Sequence, residues 1–194
     1  MLVAAMAAGC KTAENSLRRE DVASFKLTGV TVRYKPDASI MWEDAVRAYA
    51  TASHIVDDKL AEASTSPQAK AYMHKYLADR IKSTLERNLS PKSKLAGTRP
   101  VRLEVVVLNF TVASAVQRIL IGGSHMMVAD AVLVDARTNA IIVSYPDLAA
   151  SAAAGQGVLG TAVTAAVEAG QGVTPADRIL TNYADGYSGW LIKA

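Results

Sequence analysis

The sequence has little of the chemistry on which many enzymes depend. Its 194 residues include one cysteine, which excludes an intramolecular disulfide, and three histidines. A G-x-S-x-G nucleophile elbow and a phosphate-binding loop with its lysine are both missing. Because 51% of the residues are hydrophobic, a chain of this length can bury a core without help from a bound group. We therefore predict a non-enzymatic protein with no metal and no cofactor.

A large excess of charge of either sign is also missing. The net charge is +3, which is too small to predict nucleic-acid binding. The distribution is uneven, because residues 67–102 contain nine basic residues and two acidic ones. The residues that we predict to contact a partner are Lys70, Lys75, Lys82, Arg87 and Arg102. The alternative is a solvated basic helix face.

The amino terminus changes character abruptly at the single cysteine. Residues 1–10 are uncharged and largely apolar, they end at Cys10, and charged residues become frequent after it. A run this short cannot span a bilayer, so the change predicts a processing boundary. Ala7, Ala8 and Gly9 before Cys10 resemble the lipobox of bacterial lipoproteins. The resemblance implies that Cys10 carries the lipid and is the first residue of the mature chain.

This interpretation divides the chain into three parts. Residues 1–9 are a signal-peptide remnant, residues 10–24 a lipidated polar tether, and residues 25–194 a single periplasmic domain. Lys11 stands where an aspartate would favour retention in the inner membrane, so similarity to the sorting pattern favours the outer membrane. The alternative is a cytosolic globular protein in which Cys10 is a free cysteine.

Hydrophobic periodicity predicts an α+β domain, in which a mainly antiparallel sheet of about four strands packs against two or three helices. The predicted strands are 25–34, 101–112, 125–134 and 140–145. The predicted helices are 42–62, a helix 67–89 with Ser66 as its cap and Pro67 in its first turn, and a C-terminal helix that begins at Thr174 and Pro175.

Several segments carry more specific expectations. Strand 101–112 is apolar on both faces towards its end, which predicts a central strand buried on both sides. Asp135 and Asn139 predict the turn of an antiparallel hairpin. Trp42 is predicted to be a core anchor. The uncharged stretch 148–167 is predicted to be a Gly/Ala-rich loop that leads into a short helix, because its small residues gain too little in lipid to span a membrane.

Two groups of residues could carry chemistry. His54, Asp57 and Asp58 could share a helix face and bind a metal, but one imidazole with two carboxylates is more typical of a solvated surface. His125 closely follows two glycines. We therefore keep, as an alternative function, a small-ligand-binding or hydrolytic periplasmic site near Gly122–His125.

The block 101–145 is similar to uncharacterised bacterial lipoprotein families known only as domains of unknown function. The segments that carry the similarity are Leu103–Phe110, Ile121–Gly123 and the turn Val134–Ala140, in which Asn139 stands where the family has glycine, with Ile40–Trp42 upstream. The resemblance implies an envelope lipoprotein and transfers no catalytic residue. We predict a protein that is lipid-anchored in the outer membrane and binds a protein or glycan partner in the periplasm.

Overall fold

The computed structural model describes residues 13–56, 59–90, 94–114, 117, 124–153, 170 and 172–193. Within these ranges the chain forms four strands and five helices. The strands are β1 (Phe25–Trp42), β2 (Arg99–Val112), β3 (His125–Asp135) and β4 (Ile141–Ala152). The helices are α1 (Arg19–Ser24), α2 (Glu43–Ala52), α3 (Leu60–Ser64), α4 (Pro67–Leu89) and α5 (Pro175–Ile192).

The four strands form one sheet in the order β1-β2-β3-β4. β1 pairs in parallel with β2, whereas β2–β3 and β3–β4 are antiparallel. A parallel pair needs a long crossover, and α2, α3 and α4 supply it between the end of β1 and the start of β2. The predicted α+β class with a mainly antiparallel sheet is confirmed.

Helices α4 and α5 pack on one face of this sheet. α4 buries the apolar stripe that its sequence predicts, with Leu77, Ile81 and Leu85 almost fully enclosed. α5 buries Tyr183 and Tyr187 against β3 and β4. The core therefore lies between one sheet face and two helices.

Both helices begin as their sequences predict. The Ser66 hydroxyl accepts a hydrogen bond from the Ala69 amide at 3.1 Å, and Pro67 occupies the first turn. Thr174 and Asp177 form a reciprocal capping box at the start of α5. Each cap satisfies amides that would otherwise lack a partner at the helix end.

β2 is central in the sheet, as predicted, but it is not buried on both sides. Val101, Leu103, Val105 and Val107 are fully enclosed on the helix side. Val106 and Leu108 on the opposite face, which we call the outer face, are only half-buried. In the described part of the chain, no second layer covers the apolar residues on this face of β2.

The hairpin turn between β3 and β4 confirms the predicted chemistry. The Asp135 carboxylate accepts hydrogen bonds from the amides of Arg137, at 3.0 Å, and Thr138, at 3.1 Å. These bonds lower the pKa of Asp135. Asn139 adopts a left-handed backbone with φ 59°, which asparagine tolerates better than most residues.

Three predicted boundaries were wrong. β1 continues past Pro36 to Trp42, because a register shift between Tyr34 and Ser39 accommodates the proline. The predicted helix 42–62 is two helices, α2 and α3, because the chain turns at His54, which has φ 55°. Residues 148–152 belong to β4 instead of a loop, and 154–167 lie outside the described residues.

Residues 13–24, which the sequence predicted as part of a polar tether, lie against the domain. α1 buries Val22, and the chain that follows α1 packs against the segment before β2. The Gly97 and Thr98 amides donate to the carbonyls of Phe25 and Ser24 at 2.8 and 2.9 Å. A Cβ atom on Gly97 would lie 2.1 Å from the Ser24 carbonyl oxygen, so this close approach requires glycine.

Candidate functional site

The predicted basic residues do not form one surface. Lys70, Lys75, Lys82 and Arg87 are exposed along α4. Arg102 lies on β2, beside Glu104 on the outer face of the sheet. The core separates the outer face from α4, so a single partner surface cannot include all five residues.

Nearby carboxylates also reduce the charge of this group. Lys75 pairs with Asp79 at 2.6 Å, and Lys82 approaches Glu86 at 3.9 Å, both one helical turn apart. Within the described ranges Lys70 and Arg87 form no ion pair. The spacing of four residues between each lysine and its acid is visible in the sequence, and it would have predicted this neutralisation.

Arg102 belongs to a charge cluster on the outer face. Its guanidinium donates to Glu104 at 2.8 Å and to the Asn139 side chain at 2.9 Å, and Arg33 of β1 also pairs with Glu104. The hydrogen bond from Arg102, with the two positive charges, lowers the pKa of Glu104. The cluster links β1, β2 and the hairpin turn. These contacts give Arg102 a structural role that does not require a bound ligand.

A group of aromatic side chains that the sequence analysis did not identify lies where β1, α2 and α4 meet. We call Trp42, Tyr49, Tyr72, Tyr76 and Arg80 the aromatic cluster. The ring centroids are 5.5 Å apart for Tyr49–Tyr72, 5.9 Å for Tyr72–Tyr76 and 5.2 Å for Tyr76–Trp42. These distances are within the range of favourable aromatic contact, so the rings form one continuous row.

Arg80 closes the inner end of the row. Its guanidinium carbon lies 5.5 Å from the Trp42 ring centroid and 5.6 Å from that of Tyr76, in cation–π geometry. The same guanidinium donates to the Asp177 carboxylate of α5. Burial raises the pKa of Asp177, but the hydrogen bonds from Thr174 and Arg80 outweigh it, and the net pKa is lowered.

The outer end of the row is accessible. Trp42 is buried, as predicted for a core anchor, whereas Tyr49, Tyr72 and Tyr76 are half-buried. Tyr72 and Tyr76, with Lys75 and Asp79, line a shallow cavity of about 220 Å³. Tyr72 and Tyr76 are partly exposed and are held by α4 and their neighbours, so they can bind a partner with little loss of side-chain entropy.

Beside the aromatic cluster, Tyr34 of β1 stacks on His74 of α4. The ring centroids are 4.0 Å apart, and the Tyr34 hydroxyl donates to the His74 carbonyl oxygen at 2.5 Å. Burial, with a contribution from Lys70, lowers the pKa of His74, and burial raises that of Tyr34. Both rings are therefore neutral at pH 7, and the pair joins the sheet to α4.

The alternative site near Gly122–His125 is not assembled by the described residues. His125 is fully buried, and its Nδ1 accepts a hydrogen bond from the Ala113 amide at 3.1 Å. Gly122 and Gly123 lie outside the described residues. In the described part His125 therefore has a structural role between the ends of β2 and β3.

Asp57 and Asp58, two members of the candidate metal set, also lie outside the described residues, and the third, His54, occupies the turn after α2. Elsewhere in the described part of the chain, no three residues of the metal-ligating types are grouped for a metal ion.

Lys94 and Ser188 approach each other closely enough to suggest a Ser–Lys nucleophile pair. Lys94 Nζ lies 2.8 Å from the Ser188 Oγ and 2.9 Å from the Asn88 Oδ1. Ser188, however, is only 2% exposed, and its hydroxyl donates to the Asp185 carbonyl at 3.2 Å. The contact is better explained as a link between the ends of α4 and α5.

The first described residues lie at the end of the last helix. The Trp190 indole donates to the Ala13 carbonyl at 2.7 Å, and the Asn15 amide donates to the carbonyls of Trp190, at 2.8 Å, and Leu191, at 3.2 Å. We call this end of the molecule, where β1 starts and α5 ends, the N-terminal pole. The opposite end, with Trp42 and the aromatic cluster, is the distal pole. Cys10 lies outside the described residues.

None of the described helices has both the length and the apolar composition needed to cross a bilayer.

Comparison with known proteins gives a family match without a known activity. The model of DUF6778, a family of unknown function, matches residues 78–194, which run from the middle of α4 through β2–β4 and α5. No curated protein matches the sequence. Trp42, Tyr49, Tyr72 and Tyr76 of the aromatic cluster precede the matched region.

Solved structures resemble this chain only weakly. A candidate lipoprotein from Caulobacter crescentus CB15 is 17% identical over 60% of this chain and 81% of its own, with a TM-score of 0.34. The PelC L103M dodecamer from Paraburkholderia phytofirmans is 12% identical over 89% of this chain and 95% of its own, with a TM-score of 0.32.

Proposed function

The chain belongs to the DUF6778 family of unknown function, and we propose that it is a lipid-anchored protein of the bacterial envelope that binds a protein partner at its distal pole. The lipid is carried by Cys10, and the domain lies on the periplasmic side, with the outer membrane favoured by Lys11. The role is binding, without an enzymatic step.

The position of the N-terminal segment carries this proposal. Ala13 and Asn15 are held at the end of α5, and three residues of extended chain from Cys10 to Ala13 reach about 11 Å at most. A lipid on Cys10 would thus bring the N-terminal pole close to the bilayer. Two or more acyl chains on one residue would make such an anchor stable, because each buried methylene adds about 0.8 kcal/mol.

With the N-terminal pole at the bilayer, the aromatic cluster would lie at the end of the molecule away from the membrane. α4 runs from the distal pole to the N-terminal pole over 23 residues, a length of about 35 Å. Tyr72 and Tyr76 lie in its first three turns, with Tyr49 of α2 beside them. Tyrosine is enriched at protein interfaces, and the charged Lys75 and Asp79 beside these half-buried rings fit the polar rim that surrounds an interface core.

The anchor is tested by intact-mass analysis of the protein purified from its native membrane. We expect a mass that corresponds to a chain beginning at Cys10 with acyl chains attached, and recovery in the membrane fraction. The Cys10→Ser variant should lose the acyl mass and move to the soluble fraction. A wild-type chain that keeps a free thiol and fractionates with the cytosol would contradict the proposal.

The partner surface is tested by placing a photo-crosslinking amino acid at Tyr72 in cells. We expect a discrete protein adduct at this position. The matched control is Ser144, which is exposed on β4, away from the aromatic cluster, and should give no adduct. Equal adducts at both positions, or adducts only to glycan, would reject a protein partner at the distal pole.

A further inference from the structure

The most exposed large apolar side chain in the described part of the chain belongs to Ile141, at the start of β4. It is 70% exposed, and Ile192 at the end of α5 is 40% exposed. β4 is an edge strand, and exposed apolar residues on an edge favour unwanted pairing with other chains, so edges usually carry charges or proline. An isoleucine this exposed on an edge strand is therefore a candidate contact residue.

Both isoleucines lie at the N-terminal pole. The turn between β3 and β4 lies at this end, because the end of β3 pairs with the start of β2, which lies beside the start of β1. Ile141 is the first residue of β4, and Ile192 is the last residue of α5. Trp190 of α5 connects the two elements, because its ring centroid lies 4.7 Å from that of Tyr145 on β4.

The two isoleucines lie further out at this pole than the rings of Tyr145 and Trp190, which are half-buried. Ile141 precedes Tyr145 by about 13 Å of strand, and Ile192 follows Trp190 by about 3 Å of helix. Aliphatic side chains beyond a level of tyrosine and tryptophan are typical of a membrane surface, where aliphatic groups meet acyl chains and the rings stay among the headgroups.

Acidic side chains do not interrupt the turn that carries Ile141. Residues 136–144 include a single charged residue, the exposed Arg137. Asp135, just before them, bonds to amides of the turn and pairs with Arg99 at 3.2 Å. Exposed acids do occur on the N-terminal segment, at Glu14 and Glu20, so charge alone does not select an anionic surface. The contact is therefore expected to depend on apolar burial.

The place where the chain leaves the domain indicates a bilayer as the occupant. The Trp190 indole donates to the Ala13 carbonyl at 2.7 Å, so the chain towards Cys10 leaves the domain beside the Tyr145 and Trp190 rings. Three residues of extended chain reach about 11 Å at most. If Cys10 is acylated, its acyl chains enter the leaflet close to the end of α5.

We propose that Ile141 and Ile192 insert into the bilayer leaflet that holds the lipid of Cys10, with Trp190 at the level of the headgroups. This proposal rests on the proposed membrane anchor, because the anchor supplies the proximity. Its consequence is a fixed orientation, in which the N-terminal pole is held on the bilayer surface instead of swinging on a tether.

The test uses the full chain with Cys10→Ser, so that the acyl anchor does not contribute and residues 1–9 contribute equally to every variant. Binding is measured by flotation with vesicles of phosphatidylcholine. The variant is Ile141→Asn with Ile192→Asn, and the matched control is Met41→Asn with Val56→Asn at the distal pole, where the two side chains are 48% and 60% exposed.

We expect the isoleucine variant to bind the vesicles about tenfold more weakly and the control variant to bind like the parent chain. All four side chains are exposed, so the fold should be retained, and urea unfolding without vesicles checks it. Equal losses in both variants, or no loss in the isoleucine variant, would overturn the proposal.

A second measurement does not depend on loss of binding. The Cys10→Ser chain has no cysteine, so Ile141→Cys provides a single attachment site for a fluorophore that is sensitive to polarity. We expect its emission to shift to the blue when phosphatidylcholine vesicles are added, and no shift for the same fluorophore on Val56→Cys. The absence of a shift at position 141 would contradict insertion.

A second copy of the chain could also cover Ile141, and sedimentation of the Cys10→Ser chain without vesicles separates this case. A monomer supports the lipid assignment, whereas a dimer that Ile141→Asn dissociates would overturn it. Absent acylation of Cys10 in the mass analysis would reject the anchor but leave the vesicle results unchanged. Unchanged binding by the isoleucine variant would reject insertion and leave the anchor, so the two failures are distinguishable.

Discussion

At the scale of single residues, Tyr183 and Tyr187 on α5 differ in whether the hydroxyl group has a hydrogen-bond partner in the described part of the chain. The Tyr183 hydroxyl donates to the Ala129 carbonyl at 3.3 Å, whereas the fully buried Tyr187 hydroxyl has no hydrogen-bond partner among the described residues. Burial raises the pKa of both phenols, so each is neutral. A buried polar group without a partner costs about 1–3 kcal/mol, which makes Tyr187 a source of instability in the core.

Removal of the Tyr187 hydroxyl should stabilise the protein. We expect Tyr187→Phe to raise the free energy of unfolding by about 1 kcal/mol, because the desolvated hydroxyl is lost and the ring remains. Tyr183→Phe should lower it by about the same amount, because a hydrogen bond is lost. Urea unfolding measures both. A Tyr187→Phe variant that is less stable than the wild type would show that the hydroxyl has a favourable interaction.

At the residue scale, the sequence predicted features in which a side chain bonds to its own neighbourhood. Asp135, Asn139 and Ser66 all behave as expected, since their partners are within three residues or their own backbone defines the turn. The aromatic cluster was missed because Trp42, Tyr49 and Tyr72 come from three separate elements. Only the spacing of Tyr72 and Tyr76, one turn apart on α4, could have indicated it.

At the element scale, the contact between the end of α1 and the segment before β2 depends on the absence of a side chain at Gly97. We expect Gly97→Ala to lower the free energy of unfolding by about 2 kcal/mol or more, because its Cβ would overlap the Ser24 backbone. Gly29→Ala is the control, since nothing lies within 4 Å of a Cβ there, and it should be neutral or slightly stabilising. Equal stability of the two variants in urea unfolding would show that α1 can move away without cost.

The cap of α5 should make the protein sensitive to acid. The fold lowers the pKa of Asp177 below its ordinary value of 3.8. As the pH falls, the Asp177 carboxylate is therefore protonated in the unfolded chain at a higher pH than in the folded protein. The stabilisation is complete above pH 3.8 and is lost as the pH falls through the lower folded pKa. We expect Asp177→Asn to lose less stability than the wild type between pH 7 and pH 3, measured by thermal unfolding. An equal loss would mean that other carboxylates dominate.

Boundaries of elements were harder to predict than their types. β1 was ended at Pro36, but an edge strand tolerates a proline where the register shifts. α2 is followed by a turn at His54, which has a left-handed backbone. His54 is neither glycine nor proline, so the sequence gives no signal for a helix end there. In both places the tertiary structure overrides a local preference.

At the scale of the whole molecule, stability is unevenly distributed. β2 and β3 lie inside the sheet and bury most of their helix-facing residues, whereas α2 buries only two alanines and α3 buries none. Regions with little buried apolar surface open with a low free energy. The distal pole therefore combines the aromatic cluster with the least secured helices.

Hydrogen exchange should reveal this difference. We expect the amides of α2 and α3 to exchange much faster than those of β2 and β3, because opening α2 and α3 exposes little apolar surface. The amides of α4 provide the internal reference, since its buried stripe should protect it. Protection of α3 equal to that of β2 would contradict this distribution.

The class of the fold could be predicted because periodicity is local, but the position of the charges could not. Arg102 and Lys70 both belong to the basic stretch 67–102, yet the core separates them. Which charged residues share a surface depends on the packing of α4 on the sheet, and a sequence pattern alone does not specify it.

The two long helices meet through contacts with the same sequence offset. Arg80 donates a hydrogen bond to Asp177, and Asn88 donates one to Asp185. Asn88 follows Arg80 by eight residues on α4, and Asp185 follows Asp177 by eight residues on α5. A slide of either helix by one turn, about 5.4 Å, would break both contacts together. The two contacts thus specify one register between α4 and α5, and movement of one helix along its axis would have to be accompanied by movement of the other.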